Sequence, residues 1–438
     1  MMTEFPRAGV VDREEAAAAP VRDELGLAPK LVMGAAVAAL LLAMGIAIPR
    51  RAPSVWKLDV WFGADVSRHV AWVCGFWYRA HLHPISAMMF RAYGRLLRVA
   101  LHDRWPGHLV VYAFPVIGAA ALVVTATAAV FARSSQPRMW FFAGYGLAAL
   151  AIGPVLVFGP IPESHLMGGA ALAAQALLLL RAVRLARAEA SDAAVAVRLA
   201  GATVMGGLAA GFTLTNALPA LALFFFPLKA RIMGLRSVAA TATAMALMVV
   251  VPLAFLSTTH RIAGQWGRDV QDEGQYSRLE PLSVPRAFRE LVVYQFGVPF
   301  TTIAVTQYPP GHRLVSVVPA GSGSALSWAA FLLWSVGIAA FLRARKRGGV
   351  CDEKHFAVAC LAALATMVAF HSVYNTREAY LFSAHAWPYV LLTGLVAFED
   401  AVARGERTRI LLFAGALALA AAQTAIGERL IAANLSAI

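Results

Sequence analysis

The residues of this 438-residue chain best suited to chemistry are carboxylates and histidines set among aromatic and basic side chains. The richest stretch is Asp59-Val60-Trp61-Phe62-Gly63-Ala64-Asp65-Val66-Ser67-Arg68. Asp65 has Phe62, Val66, Val70 and Trp72 as neighbours, and partial loss of water raises a carboxylate's pKa toward that of a working general base. Arg68 follows three residues on and shares a face with Asp65 if the stretch is helical. It could orient the carboxylate or hold a phosphate through two parallel hydrogen bonds. Asp59 is the alternative base. The plainer reading of Asp65 and Arg68 is a surface ion pair on an interfacial amphipathic helix.

Further polar patches lie far away in sequence: His81-Leu82-His83-Pro84, Glu163-Ser164-His165, Gly211-Phe212-Thr213-Leu214-Thr215-Asn216, and a run holding His371, Tyr374, Asn375, Arg377, Glu378 and His385. Each has a structural explanation as well. Glu163 suits a helix N-terminus, Glu378 can pair with Arg377, and His165 and His385 are common packing residues. Arg286 and Arg289 are spaced to lie along an interfacial helix, where contact with lipid headgroups is the simpler role. His81 and His83 make a poor metal signal, since no Cys or nearby acid completes a site. No metal site is assigned, although Asp65, Glu163 and Glu378 are hard oxygen ligands that a divalent cation could use. Cys74, Cys351 and Cys360 offer neither a disulfide framework nor paired metal spacing.

The elements that must position these groups are membrane helices. The chain is 60% hydrophobic and 14% charged, with a mean hydropathy of +0.66. Apolar windows of about 20 residues, enough to cross the hydrocarbon core, recur along it. The expected fold is an all-α polytopic membrane protein of about eleven transmembrane helices, near 31–48, 107–132, 139–158, 164–180, an interrupted hairpin over 199–228, 237–256, 325–342, 355–370, 383–398 and 410–425. Residues 1–29 read as a flexible cytoplasmic tail without a cleavable signal pattern, and 30–438 as the membrane domain. Two large external loops, 50–106 and 258–323, are expected to carry amphipathic helices.

The formal charge of +14 does not indicate nucleic acid, because Lys and Arg cluster beside the apolar segments. With the N-terminus inside, the internal loops each hold two to five Lys/Arg, whereas the short external turns are nearly free of them. The same threading puts all the polar patches on one external face. The first external loop breaks the charge rule, with nine Lys/Arg between Arg50 and Arg104, and so points to an anionic ligand or anionic membrane lipids.

Ala64-Asp65-Val66-Ser67-Arg68 after the first helix and His83-Pro84 before the second resemble the first loop of the GT-C superfamily of integral membrane glycosyltransferases. Pro162-Glu163-Ser164, Gly211 to Asn216, and Glu378-Ala379-Tyr380-Leu381-Phe382-Ser383-Ala384-His385 are similar to patterns in bacterial members related to the dolichyl- or polyprenyl-phosphate-mannose transferases. The resemblance follows the layout of residues 31–410 but is carried by short patches. Many members place paired acids close together in the first loop, whereas Asp59 and Asp65 are six apart.

The resemblance implies inverting transfer of a sugar from a polyprenyl-phosphate carrier to a hydroxyl of a lipid, glycan or protein acceptor outside a bacterial inner membrane. Asp65 or Asp59 would be the base, and Arg68, Arg286, Arg289 and Arg377 would hold the donor phosphate. His83, Glu163, His165, Asn216, Tyr374, Glu378 and His385 would contact substrate. A phosphate leaving group needs no acid, so one carboxylate base suffices, and fixed cations stabilise the departing charge. No Asp-x-Asp run or glycine-rich phosphate loop marks a nucleotide-sugar donor. The competing readings are a transporter or flippase for a lipid-linked saccharide, and a non-catalytic member of a polysaccharide-assembly complex.

Overall fold

The computed structural model describes residues 83–100, 153–158, 164–259, 281–307, 313–321, 323–344, 351–374 and 379–436, with single positions at 32, 35, 36, 39 and 74. These are mostly helical: α1 Pro84–Ala100, α2 Gly153–Phe158, α3 His165–Arg187, α4 Asp192–Phe212, α5 Ala217–Leu223, α6 Phe225–Lys229, α7 Leu235–Thr259, α8 Val284–Leu291, α9 Ala325–Arg343, α10 Cys351–His371, α11 Ala379–Ala403 and α12 Arg407–Ser436. Among the described residues, seven helices (α3, α4, α7, α9, α10, α11 and α12) are long and apolar enough to cross a membrane. The chain therefore has the build of an integral membrane protein. The segments expected at 31–48 and 107–132, and most of 139–158, lie outside the described residues.

Helices α3 and α11 are buried along most of their length and form the centre of the bundle. Their approach requires a glycine. Pro388 sits inside α11 and cannot donate to the carbonyl four residues before it, that of Ala384. That carbonyl lies against Gly169 of α3, where any Cβ would collide with it. Helix α4 runs back antiparallel along α3, α7 packs on α4, α10 on α11, and α9 on α12. The outer helices α4, α7, α9 and α12 turn apolar side chains outward, among them Leu247, Val250, Val251 and Phe255 of α7. Such faces are stable only against lipid or a partner surface.

The interrupted hairpin over 199–228 is present but differs in shape from the expected pair of short helices. Helix α4 begins at Asp192, inside the stretch read as a basic internal loop, because the Ser191 side chain accepts the Ala194 N–H at 3.4 Å and Asp192 favours the first turn. It is a full-length span and carries Arg198 within it. Thr213 then turns extended (φ −154°, ψ 121°), Leu214–Asn216 form one 3-10 turn, and α5 and α6 complete a short apolar run. Pro219 is accommodated in the first turn of α5, where a missing N–H costs little.

The second large loop adds an element the all-α expectation did not include. It holds the amphipathic helix α8, as expected, and also an antiparallel hairpin of β1 Thr301–Gln307 and β2 Arg313–Pro319, paired from Thr301↔Pro319 to Gln307↔Arg313. The strands follow from their β-branched residues and the Pro-Pro-Gly between them. The hairpin is tied to α12 by Asn434 Nδ2, which donates to the Thr301 carbonyl at 3.0 Å. Just before it, Gln423 Nε2 donates to the Val298 carbonyl at 2.7 Å.

The two ends of the bundle differ in charge. At one end Arg187 pairs with Asp352 at 3.0 Å, Arg184 with Glu353 at 3.6 Å, and Arg409 with Asp400 at 2.8 Å. Lys354 there donates to the carbonyls of Leu342 and Ala344. The opposite end gathers the first residues of α1, α3 and α11 with the last residues of α4 and α10.

Candidate functional site

At that opposite end, side chains from four distant stretches meet. His83 precedes α1, His165 opens α3, Asn216 closes the turn after α4, and His385 lies in the second turn of α11. All four are buried. His165 Nδ1 and His385 Nε2 stand 3.0 Å apart, so a single proton bridges the two rings. The His83 ring meets His165 edge-on, with centroids 6.0 Å apart. Phe382 packs on His165 with centroids 5.3 Å apart and is stacked by His371 at 4.1 Å.

Each position has a local cause. Helix α4 ends at Phe212, whose carbonyl is left without a helical N–H donor. His83 Nδ1 approaches that oxygen at 2.6 Å and the Ser86 hydroxyl donates to it at 3.3 Å. A carbonyl only accepts, so His83 carries its proton on Nδ1, which leaves Nε2 as the acceptor of the neutral ring. Asn216 Nδ2 donates to the Ala209 carbonyl at 3.0 Å, an oxygen that also accepts the Thr213 backbone N–H at the end of α4. Gly168 lets α3 come close: a Cβ there would lie 2.6 Å from Asn216 Nδ2 and 3.1 Å from His385 Nε2.

A second cluster joins α8 to the start of α11. Glu290 of α8 is buried, and its Oε1 accepts from Arg286 Nε at 2.9 Å with Arg289 at 3.6 Å. Its Oε2 accepts the Tyr380 backbone N–H at 3.1 Å, in the first turn of α11. Burial raises the Glu290 carboxyl above the ordinary carboxylate value, while Arg286 and Arg289 pull it down. Burial likewise pushes the Tyr294 hydroxyl up to about 12, against the pull of Arg289. Gln295 Nε2 donates to the Leu291 carbonyl at 2.8 Å and the Ser383 carbonyl at 2.9 Å, a second tie onto α11.

The expected site residues thus divide into three sets. His83, His165, Asn216 and His385 come together. Tyr374 lies at their margin beyond α10, with its ring 6.3 Å from that of His371. Arg286 and Arg289 stand side by side, but on Glu290. Asp59, Asp65, Arg68, Glu163, Arg377 and Glu378 lie outside the described residues. Spacing alone passes over Glu290, Tyr380 and Gln295. The available signal was Glu290 four residues after Arg286, an i,i+4 pair on the helix already expected there. Among the described residues, no group of three or more His, Cys, Asp or Glu is placed to hold a metal ion.

Comparison with protein-family models, curated proteins and solved structures finds no match to this chain.

Proposed function

We propose that this protein is a membrane glycosyltransferase of GT-C type, moving a sugar from a polyprenyl-phosphate carrier to an acceptor hydroxyl. The observation that carries the reading is the meeting of His83, His165, Asn216 and His385 at one bundle end, opposite the end rich in paired Arg and Lys. Polar side chains buried at the end of a membrane bundle are costly and mark function. By the positive-inside rule the basic end is cytoplasmic and the histidine end extracytoplasmic, where lipid-linked donors replace nucleotide sugars.

In this reading Asp65, with Asp59 as the alternative, takes the proton from the acceptor hydroxyl as the hydroxyl oxygen attacks the anomeric carbon. The bond to the carrier's phosphate oxygen breaks, and Arg68, Arg286, Arg289 and Arg377 hold the departing anion. Glu163, Tyr374 and Glu378 contact substrate with the histidines. The bacterial inner membrane and the N-terminus inside belong to the same proposal. A transporter of lipid-linked saccharide is the second reading, favoured by the interrupted helical run Leu214–Lys229. The break, however, stands level with the first turn of α3 rather than halfway along it, which suits a headgroup enzyme better.

The deciding experiment supplies purified protein with radiolabelled polyprenyl-phosphate sugars and cell-envelope lipid acceptors. Transfer is expected, with a loss of about 10²–10⁴-fold in Asp65→Asn. Loss in Asp59→Asn with Asp65→Asn active would move the base. No transfer with any donor, alongside saccharide movement across vesicles, would overturn the enzyme reading in favour of transport.

A further inference from the structure

We infer that Asn216 and His385, set against Gly168, form an uncharged subsite that takes neighbouring hydroxyl groups of a sugar ring. The inference rests on the transfer reading above and names the part of the substrate that lies at this end of the bundle. Asn216 is fully buried, and its Nδ2 is committed to the Ala209 carbonyl at 3.0 Å. That bond fixes the amide's orientation, since the carbonyl can only accept, and it leaves Oδ1 as a buried acceptor with no hydrogen-bond partner. His385 is also fully buried; its Nε2 is committed to His165 at 3.0 Å and its Nδ1 has no partner. Buried polar atoms in native proteins are almost always satisfied, and each one left bare costs about 1–3 kcal/mol. The two residues meet Gly168 through their committed nitrogens, Asn216 Nδ2 and His385 Nε2, so the two bare atoms belong to one neighbourhood, which a ligand would complete.

The donor–acceptor pattern decides the ligand's chemistry. Asn216 Oδ1 demands a donor. His385 Nδ1 is an acceptor if His385 donates from Nε2, and a donor if His165 donates instead. A hydroxyl group both donates and accepts, so a pair of adjacent hydroxyls satisfies Asn216 Oδ1 and His385 Nδ1 in either arrangement of the shared proton. A phosphate oxygen accepts only and would face Asn216 Oδ1 as a second acceptor. The cations suited to phosphate, Arg286 and Arg289, stand on a different element, α8.

The hydroxyls can belong to the donor's sugar or to a glycan acceptor, and the test separates the two. Binding to the full-length protein in nanodiscs is measured for bare polyprenyl phosphate, for polyprenyl-phosphate hexoses and pentoses, and for the corresponding methyl glycosides. Wild type is expected to bind one sugar-bearing probe at least about tenfold more tightly than its sugar-free counterpart or its epimers, as hydrogen-bonding sites discriminate. Asn216→Ala and His385→Phe are each expected to erase that preference and to leave affinity for bare polyprenyl phosphate within about twofold. His385→Asn, which keeps a hydrogen-bonding group, is expected to restore part of it. A response confined to lipid-linked sugars places the donor's sugar here, and one confined to methyl glycosides places the acceptor. If both variants discriminate like wild type, or wild type transfers sugar without any such preference, the subsite is overturned while the transfer reading stands. If wild type transfers no sugar but shows the preference and both variants lose it, the transfer reading falls and the subsite stands.

Discussion

The Glu290 carboxylate accepts the Tyr380 backbone N–H at 3.1 Å and so fastens the amphipathic helix α8 to the first turn of α11, the most deeply buried of the described spans. The same carboxylate holds Arg286 and Arg289. One buried acid therefore sets the entry of α11 and the placement of both arginines. Glu290→Ala strips partners from all three and is expected to destabilise the protein by about 1–3 kcal/mol, read by thermal unfolding in detergent. Glu290→Gln, which can still accept from Tyr380, should lose less.

Glu290 also gives stability a pH dependence of definite sign. Its folded-state pKa is raised by burial above the unfolded value of 4.5. The folded protein then binds this proton more readily than the unfolded chain does. The contribution is fully present below the unfolded value and is lost as pH rises through the folded one. Melting of wild type and Glu290→Gln between about pH 4 and 7 isolates it, and the variant's profile should be the flatter of the two. A steeper profile in the variant would contradict the assignment.

Gly169 and Gly234 form a matched pair of tests. A methyl group at Gly169 meets the Ala384 carbonyl and, at 3.1 Å, the Trp387 indole nitrogen, whereas one at Gly234 meets nothing within 4 Å. Gly169→Ala is expected to cost about 1–3 kcal/mol, since backbone must move to admit it. Gly234→Ala should fall within about 0.5 kcal/mol of wild type.

His83 is expected to reveal its role through comparison with Ser86. Both reach the Phe212 carbonyl, at 2.6 and 3.3 Å. His83→Ala leaves the longer bond in place and should cost about 1 kcal/mol, with the double variant His83→Ala/Ser86→Ala costing more than the sum of the singles. Strict additivity in melting temperatures would show that the two do not share the acceptor.

Orientation in the membrane is open to direct labelling. In a background lacking Cys74, Cys351 and Cys360, single cysteines replace Leu235 near the basic end and Leu282 near the histidine end, both exposed. A membrane-impermeant thiol reagent is expected to reach Leu282→Cys from the extracytoplasmic side and Leu235→Cys only after the membrane is opened. The reverse pattern would invert the arrangement proposed above.

Much of this architecture was legible in the residues. Apolar windows located the seven described spans, and Thr213 and Pro219 announced the break between α4 and α5. Threading those spans put His165, Asn216 and His385 on one face, and they do stand together. Helix ends were less legible. Arg181 lies within α3, which runs on to Arg187, and Arg198 lies within α4, where the Ser191 cap starts a helix inside the stretch read as loop. The hairpin of β1 and β2 carries a local signal in its β-branched runs, which the expectation of amphipathic helix in that loop did not use. Glu290 was hidden for a different reason. An acid that follows two arginines on a polar eight-residue helix looks solvated, and only docking onto Tyr380, ninety positions later, buries it.

The contact between His165 and His385 spans 220 residues, and that between His83 and Phe212 spans 129. A ribosome making this chain inserts α3 long before α11 exists, so His165 enters the membrane without its proton-sharing partner. The polar centre is thus completed only after the 220 residues from His165 to His385 have been added. Any chain cut short ahead of α11 holds the early helices and a half-built, unsatisfied polar pocket, which quality-control proteases of the membrane are equipped to recognise.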